Sequence, residues 1–322
     1  MRAVVLTESG APLTVVPDHA DPTDDGRGGE IIDVLGCGVC HSDIHVVDGV
    51  FGGTLPMILG HEVTGHHDEL GPVMVYAPWG CRACRQCADG LEMRCADATE
   101  AGLFADGGYA DKMWVKDRRY LAPLNGLDPI AAAPLACGGL TAYRAVKHGL
   151  DTLRSRTDGG RALVIGAGGL GQYALRYLQL QTDAHVTALD TADDKRTAAI
   201  EIGADVAVGP DEIDGPYDLV LDFIGTEPTL ATAASTVARG GLVVVVGLGG
   251  GRVPFQFGVF PQEARIMSSV WGSRTELDEL LDFARRSPEI VQPVESLPLV
   301  DAQLAHDRLR RGDVRGRLVL TP

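Results

Sequence analysis

Cys81, Cys84, Cys87 and Cys95 follow one another as C-x2-C-x2-C-x7-C. Four thiolates this close along a chain can surround one tetrahedral zinc ion. Arg82, Arg85, Gly90 and Arg94 between them suit an exposed lobe, where cysteines have no core to pack into. A second set is dispersed. It holds Cys40 in Cys37-Gly38-Val39-Cys40-His41-Ser42-Asp43-Ile44-His45, then Gly60-His61-Glu62, then Cys137. Cys40, His61 and Cys137 supply two thiolates and an imidazole, and three protein ligands with an open position are what a catalytic zinc needs. By spacing alone Cys37 could stand in for Cys40. The odd total of 7 cysteines argues against a disulfide framework.

Gly166-Ala167-Gly168-Gly169-Leu170-Gly171 matches G-x-G-x-x-G, with an apolar strand before it and helical spacing after it. That context points to a dinucleotide. Gly166 permits the tight turn, Gly168 lets the backbone approach a pyrophosphate, and Gly171 lets helix and sheet pack closely. The following helix turns its N-terminus toward the phosphate charge. Asp190 ends the next strand, 19 residues after Gly171. A carboxylate there accepts from the adenosine ribose hydroxyls and repels a 2′-phosphate, which favours NAD.

The elements that must hold these groups divide the chain in texture. Up to about residue 138, short strands (Val4–Leu6, Leu13–Val16, Glu30–Val34) are broken by Gly, Pro and Asp, as in a twisted β domain. From Leu140 the pattern alternates. A helix over Leu140–Leu150 is closed by Gly149, and strands at Ala162–Ile165, His185–Leu189, Asp205–Val208, Asp218–Leu221 and Leu242–Val246 are separated by helices. Such alternation makes right-handed βαβ units on a parallel sheet. The tail, with helices over Glu276–Arg286 and Val300–Arg311 and a last strand Arg317–Leu320, lacks that rhythm. We therefore expect residues 1–138 and 273–322 to form one domain and 139–272 to be inserted into it, with nicotinamide and metal meeting in the cleft. Leu242–Val246 is expected near a sheet edge, where it could pair with a second copy.

With 322 residues the chain is long enough for two such domains and a core without disulfides. The formal charge of −16 and the lack of basic clusters oppose nucleic acid or an anionic membrane surface as partner. The longest strongly apolar stretch, Leu242–Leu248, is too short to span a bilayer. Polar residues follow Val5 too soon for a signal-peptide core, so a cytoplasmic protein is expected.

These motifs, in this order, resemble the zinc-dependent medium-chain alcohol dehydrogenase family along essentially the whole chain. Trp271–Leu277 and Gly312–Pro322 look most like bacterial NAD-dependent secondary alcohol dehydrogenases. The resemblance implies a GroES-like catalytic domain with an inserted Rossmann domain, two zinc ions per chain and a homodimer or homotetramer. It implies Cys40, His61 and Cys137 as ligands of the catalytic zinc, Glu62 as an alternate ligand, and Cys37 as a bystander. The four-cysteine knot is then the structural zinc site. Ser42 would hydrogen-bond the alcohol oxygen, His45 would pass the proton to solvent, and Asp43 would orient His61, as a metal-bound imidazole requires. Thr141 and Leu170 fall near the nicotinamide, Gly169 in the phosphate turn, Lys195 near the adenosine ribose and Arg317 at the pyrophosphate.

One departure stands out. Only 19 residues separate His61 from Cys81, so the hairpin turn of the family is missing and Val73–Tyr76 must supply the strand directly. His66 and His67 in that segment are read as surface residues able to stray toward the metal. For the substrate pocket the sequence offers Phe51, Leu55, Trp79 and Trp271, with Trp271 as a wall for bulky apolar or aryl groups. The activity this implies is reversible hydride transfer between an apolar secondary alcohol and NAD, with a small alcohol or ketone as the partner molecule. A polyol or amino-alcohol dehydrogenase is the alternative enzyme, and a non-enzymatic cofactor-binding relative the alternative class. The intact set of Ser42, His45 and metal ligands argues against the latter.

Overall fold

The computed structural model describes residues 1–322 apart from 25, 27, 254 and 259. The chain divides into two units, residues 1–140 with 272–322, and residues 141–271. Each is described on its own. No helix among the described residues is long and apolar enough to cross a membrane.

The first unit is built on a 7-stranded sheet. Its long strand Glu30–Gly38 pairs antiparallel with Glu62–His67 on one side and with Arg317–Thr321 on the other. Val63, Val73, Met74, Val75, Val319 and Leu320 are buried on this sheet. Glu62–His67 does return directly as a hairpin to Gly71–Val75, in the register His67 opposite Gly71. A tight turn over residues 68–70 therefore stands where the family's longer hairpin turn is missing, and the strand expected at Val73–Tyr76 runs over Gly71–Val75. His67 builds that turn. Its Nδ1 accepts from Glu69 N and Leu70 N, both at 3.2 Å, and its Nε2 lies 2.9 Å from Glu30 Oε2. His67 is thus a buried turn brace, while His66 points outward.

The tail also differs from expectation. Val294–Pro298 is a strand that pairs parallel with Arg317–Thr321, and helix Ala302–Arg311 connects them. The tail therefore holds one βαβ crossover. Its first strand is half exposed and bounded by prolines, so it carries no apolar run to announce it. The expected β texture up to residue 138 also hides short helices, His41–Val47, Arg85–Ala88 and Pro129–Ala132 among them.

The second unit is a 6-stranded sheet in which every neighbouring pair is parallel. Counted within the unit its order is 3-2-1-4-5-6, the doubly wound arrangement that binds nucleotides where the order reverses. Leu163, Ile165, Leu189, Val220, Val243 and Phe260 belong to its core, each contributing about 1.5–3 kcal/mol by burial. The helix expected to close at Gly149 runs from Gly138 to Arg154. Gly149 lies within it because a Cβ there would meet Leu219 Cδ2 at 2.3 Å. Its smallness serves helix–sheet contact and not helix termination.

Leu242–Val246 is not at an edge. It belongs to strand Val237–Val245, flanked by Tyr217–Asp222 and by Arg265–Ser268. The edge strand on that side is Arg265–Ser268, whose exposed ends and short length hide it from an apolar pattern.

Candidate active site

Strand Glu30–Gly38 ends where helix His41–Val47 begins, and Cys40 is the residue at that junction. Asp43 stabilises the helix start by accepting the Cys40 N–H at 2.9 Å, through Oδ2. An acidic residue three positions after a helix N-cap is a recognisable start signal, and it was present in the sequence. His61 and Glu62 arrive together at the start of strand Glu62–His67, and Cys137 follows the tight turn Ala133–Ala136. Gly38 leaves the space that Glu62 fills, since a Cβ on it would lie 2.0 Å from Glu62 Oε2.

These elements converge Cys40, His61, Glu62 and Cys137, all buried, with one donor atom of each within 4.8 Å of the others. Asp43 Oδ1 lies 2.9 Å from His61 Nδ1. That contact puts the proton on Nδ1 and leaves the Nε2 lone pair for a metal. The Cys40 thiol is held well below its usual value by its hydrogen bond with Cys137 and, against burial, by His61. A thiolate is the form a metal binds. Two sulfurs, an imidazole nitrogen and a carboxylate form a donor set that fits zinc.

Glu62 is restrained. Arg317 Nη2 donates to both of its oxygens, at 2.6 and 2.7 Å, and Gly138 N donates to Oε1 at 3.1 Å. Burial drives the Glu62 carboxyl up to about 7, against the pull of the Arg317 guanidinium. Arg317 was expected at a pyrophosphate; the structure gives its guanidinium a partner in the metal cluster. Cys37 stands outside that cluster. It is buried, and burial followed by the nearby Asp43 and Glu62 pushes its thiol well above the usual range.

Ser42 and His45 lie three residues apart on helix His41–Val47 and so share a face. Ser42 Oγ is 3.8 Å from Cys40 Sγ, and the His45 ring packs against Phe51 with centroids 5.9 Å apart. Phe51 in turn stacks on Phe104 at 6.2 Å and borders, with Leu55 and Val46, a cavity of about 180 Å³. Trp79 is enclosed instead. Its ring stacks on Tyr120 at 6.3 Å, meets Trp114 edge-on at 5.6 Å, and donates Nε1–H to Tyr76 O at 3.1 Å. Trp271 is buried with φ at 52°, a left-handed conformation that a bulky side chain rarely takes.

Cys81, Cys84, Cys87 and Cys95 bring their sulfurs within the same 4.8 Å limit. The lobe folds through the short helix Arg85–Ala88 and a tight turn at Glu92–Arg94. Backbone hydrogen bonds from Ala83 and Cys84 hold the Cys81 thiol down to about 7, whereas desolvation pushes Cys87 up to about 12. An all-cysteine set of this kind fits a closed zinc site.

In the second unit, Gly166 N donates to Leu189 O at 2.8 Å, so the glycine turn and Asp190 sit side by side at the carboxyl ends of parallel strands. Gly166 has φ at 89°, and a Cβ on Gly171 would lie 1.9 Å from Gly166 O. Around Gly168 nothing lies within 4 Å of such an atom, so the backbone there is open to approach. Helix Gly169–Gln181, with Leu170 half-buried in its first turn, starts from this point. Asp190 Oδ2 accepts the Ala167 N–H at 2.9 Å, and Oδ1 accepts the Ala192 N–H at 3.0 Å. The acidic residue therefore also braces the turn, a role the spacing did not reveal. Arg196 Nη1 donates to Asp190 O at 2.7 Å, and its other end pairs with Asp193. Lys195 is half-buried beside it, and Thr141 is buried on helix Gly138–Arg154.

Residues 26–126 match the family model described as alcohol dehydrogenase GroES-like domain, and residues 169–286 match that of zinc-binding dehydrogenase. An alcohol dehydrogenase of Geobacillus stearothermophilus is 31% identical over 343 residues, covering 99% of each chain. The chain belongs to the zinc-dependent medium-chain alcohol dehydrogenases. This dehydrogenase is thus an NAD(P)-dependent oxidoreductase, with the GroES-like and Rossmann-type domains of its family. It is also 30% identical to the D-arabinose 1-dehydrogenase (NADP(+)) of Saccharolobus solfataricus, across 100% of this chain and 97% of that one. The solved structure of acetophenone reductase from Geotrichum candidum in complex with NAD superposes on the dehydrogenase with a TM-score of 0.86. The two are 29% identical, and the match covers 100% of this chain and 97% of that one.

Proposed function

We propose that this dehydrogenase interconverts a secondary alcohol bearing an apolar or aryl group with its ketone, using NAD and a zinc ion held by Cys40, His61 and Cys137. The observation that carries this is the buried convergence of those donors with Asp43 set on His61 Nδ1. When bound, zinc would supply a Lewis acid for the alcohol oxygen and the nicotinamide would accept the hydride. The residues of the chain do the rest. Ser42 takes the alcohol proton and His45, on the same helix face, hands it to solvent. Glu62, tied to Arg317, stands by as an alternate ligand. The four-cysteine lobe holds a second, structural zinc.

Asp190 favours NAD because its carboxylate would face the extra phosphate of NADP, while the nearby Arg196 is already engaged by Asp190 O and Asp193. The turn from Gly166 through Gly168 and Gly169 to Gly171 takes the pyrophosphate, with Thr141 and Leu170 toward the nicotinamide and Lys195 toward the adenosine ribose. Phe51, beside the His45 ring, supports an apolar wall, whereas Trp79, packed between Trp114 and Tyr120, takes no part in it. The NAD-bound acetophenone reductase agrees with an aryl substrate. The arabinose dehydrogenase gives the polyol alternative its one support, along with NADP. The dehydrogenase acts as a cytoplasmic homodimer or homotetramer. Absorbance at 340 nm with either cofactor and a panel of 1-phenylethanol, 2-butanol, sorbitol and arabinose tests this. Turnover confined to polyols or sugars would overturn the substrate assignment.

A further inference from the structure

Behind the Asp43–His61 pair lie two buried side chains that the chemistry above does not use. Tyr109 Oη donates to Asp43 Oδ2 at 3.1 Å, and the same oxygen lies 3.1 Å from His306 Nε2. Tyr109 and His306 are both nearly inaccessible to solvent. Their rings also pack edge-on, with centroids 5.8 Å apart.

A phenol has one proton to give. A carboxylate is a stronger acceptor than an imidazole nitrogen, so the Tyr109 proton goes to Asp43. The remaining contact then needs His306 to be the donor, through Nε2–H. Burial, helped by Arg310, lowers the His306 pKa against the opposite pull of Asp43, Asp307 and Cys40, which keeps the ring neutral. The bonds therefore all run toward the carboxylate: His306 to Tyr109, Tyr109 to Asp43 Oδ2, Cys40 N to the same oxygen, and His61 Nδ1 to Oδ1. Bonds aligned head to tail strengthen one another. Asp43 cannot rotate to offer His61 a different oxygen without breaking the contacts at Oδ2. Helix Ala302–Arg311, which carries His306, is itself fixed to the end of helix His41–Val47 by Arg310 Nη1 donating to Asp48 Oδ2 at 2.9 Å.

We propose that His306, acting through Tyr109, is a positioning residue that sets Asp43 and hence the His61 imidazole at the Cys40–His61–Cys137 metal site. This rests on the metal site proposed above.

The test measures zinc affinity by chelator competition and the visible spectrum of the cobalt-substituted protein, with the four-cysteine site as internal reference. The native chain must first hold a metal that Cys40→Ala loses. If it holds none, the metal site itself is wrong and the proposal falls with it. Given that metal, Tyr109→Phe should weaken its affinity about tenfold. His306→Phe, which keeps the ring packing, should cost about three- to fivefold and shift the cobalt band in the same direction. His306→Gln, whose amide N–H reaches the same place, should return within about twofold of native. The double variant Tyr109→Phe with His306→Phe should bind no more weakly than Tyr109→Phe alone. A lower melting temperature with unchanged affinity and spectrum would reduce His306 to a packing residue and overturn the proposal. So would a full His306→Phe cost in the Tyr109→Phe background. Should Tyr109→Phe fail to fold, equal affinities of His306→Phe and His306→Gln would still overturn it.

Discussion

Arg317 and Glu62 are 255 residues apart in the chain and meet in a buried ion pair, with Arg317 Nη2 at 2.6 and 2.7 Å from the two carboxylate oxygens. The pair ties the last strand to the strand that follows His61. Breaking one side leaves a buried charge alone, which costs about 3–5 kcal/mol. Arg317→Met should therefore destabilise the protein by that amount in urea unfolding. Adding Glu62→Gln removes the orphaned charge, and the double variant should recover more than half of the loss. A double variant as unstable as Arg317→Met would show that the guanidinium acts through packing alone.

The two metal sites should respond differently to loss of one sulfur. Cys40→Ala should yield one zinc per chain, a near-native melting temperature, intact NADH fluorescence and no turnover. Cys84→Ala should also yield one zinc, but with a lowered melting temperature, because a closed site contributes folding energy. Cys37→Ala should keep both. Metal analysis with melting curves on the three proteins checks this, and loss of zinc from Cys37→Ala would refute the ligand assignment.

Cofactor choice should favour NAD over NADP by at least about tenfold in kcat/KM, equal to about 1.4 kcal/mol. Asp190→Gly should narrow the gap, but it also removes the acceptor for the Ala167 and Ala192 N–H groups. The KM for NAD should therefore rise along with the fall in discrimination. An unchanged KM would mean that the turn holds itself without the carboxylate.

His67 offers a control far from the chemistry. Replacing it with Ala strands the Glu69 and Leu70 N–H groups and the Glu30 carboxylate. The loss should be about 1–3 kcal/mol by denaturant titration, with zinc content unchanged. Loss of the catalytic zinc in this variant would show that the shortened hairpin reaches the metal.

Assembly should run through the edge strand Arg265–Ser268, beside which Leu248 and Val270 stay largely exposed. A strand edge of this kind invites pairing with a copy of itself. Light scattering at micromolar concentration should report a dimer or larger, and Met267→Pro, by removing a backbone N–H, should shift it toward monomer. A native monomer would refute the expectation.

What the sequence made visible was local. The glycine spacing at Gly166, Gly168 and Gly171 is a steric demand of one turn, and the knot from Cys81 to Cys95 fits within one loop, so both can be read from neighbours in the chain. Strands buried on both faces, such as Leu219–Leu221 within Tyr217–Asp222, also announce themselves by continuous apolar residues. The structure adds what depends on distant partners. Tyr109, His306 and Arg317 acquire their roles from residues 66 to 255 positions away, and no spacing rule encodes that. Gly149 looks like a helix stop because its partner, Leu219, lies in another element. Arg265–Ser268 and Val294–Pro298 were passed over because half-exposed strands lack an apolar signature.

The position of strand Arg317–Thr321 has a consequence for synthesis. It is an interior strand, with Glu30–Gly38 on one side and Val294–Pro298 on the other. The nucleotide-binding unit is continuous in the chain, over residues 141–271, and can complete itself while translation proceeds. The metal-binding sheet lacks two strands, Val294–Pro298 and Arg317–Thr321, until these later segments are made, and until then Glu62 has no Arg317. The nascent chain thus carries a finished cofactor domain ahead of an unfinished catalytic one, and the gap between the two events is the window in which the open sheet edge of Glu30–Gly38 needs shielding from other nascent chains.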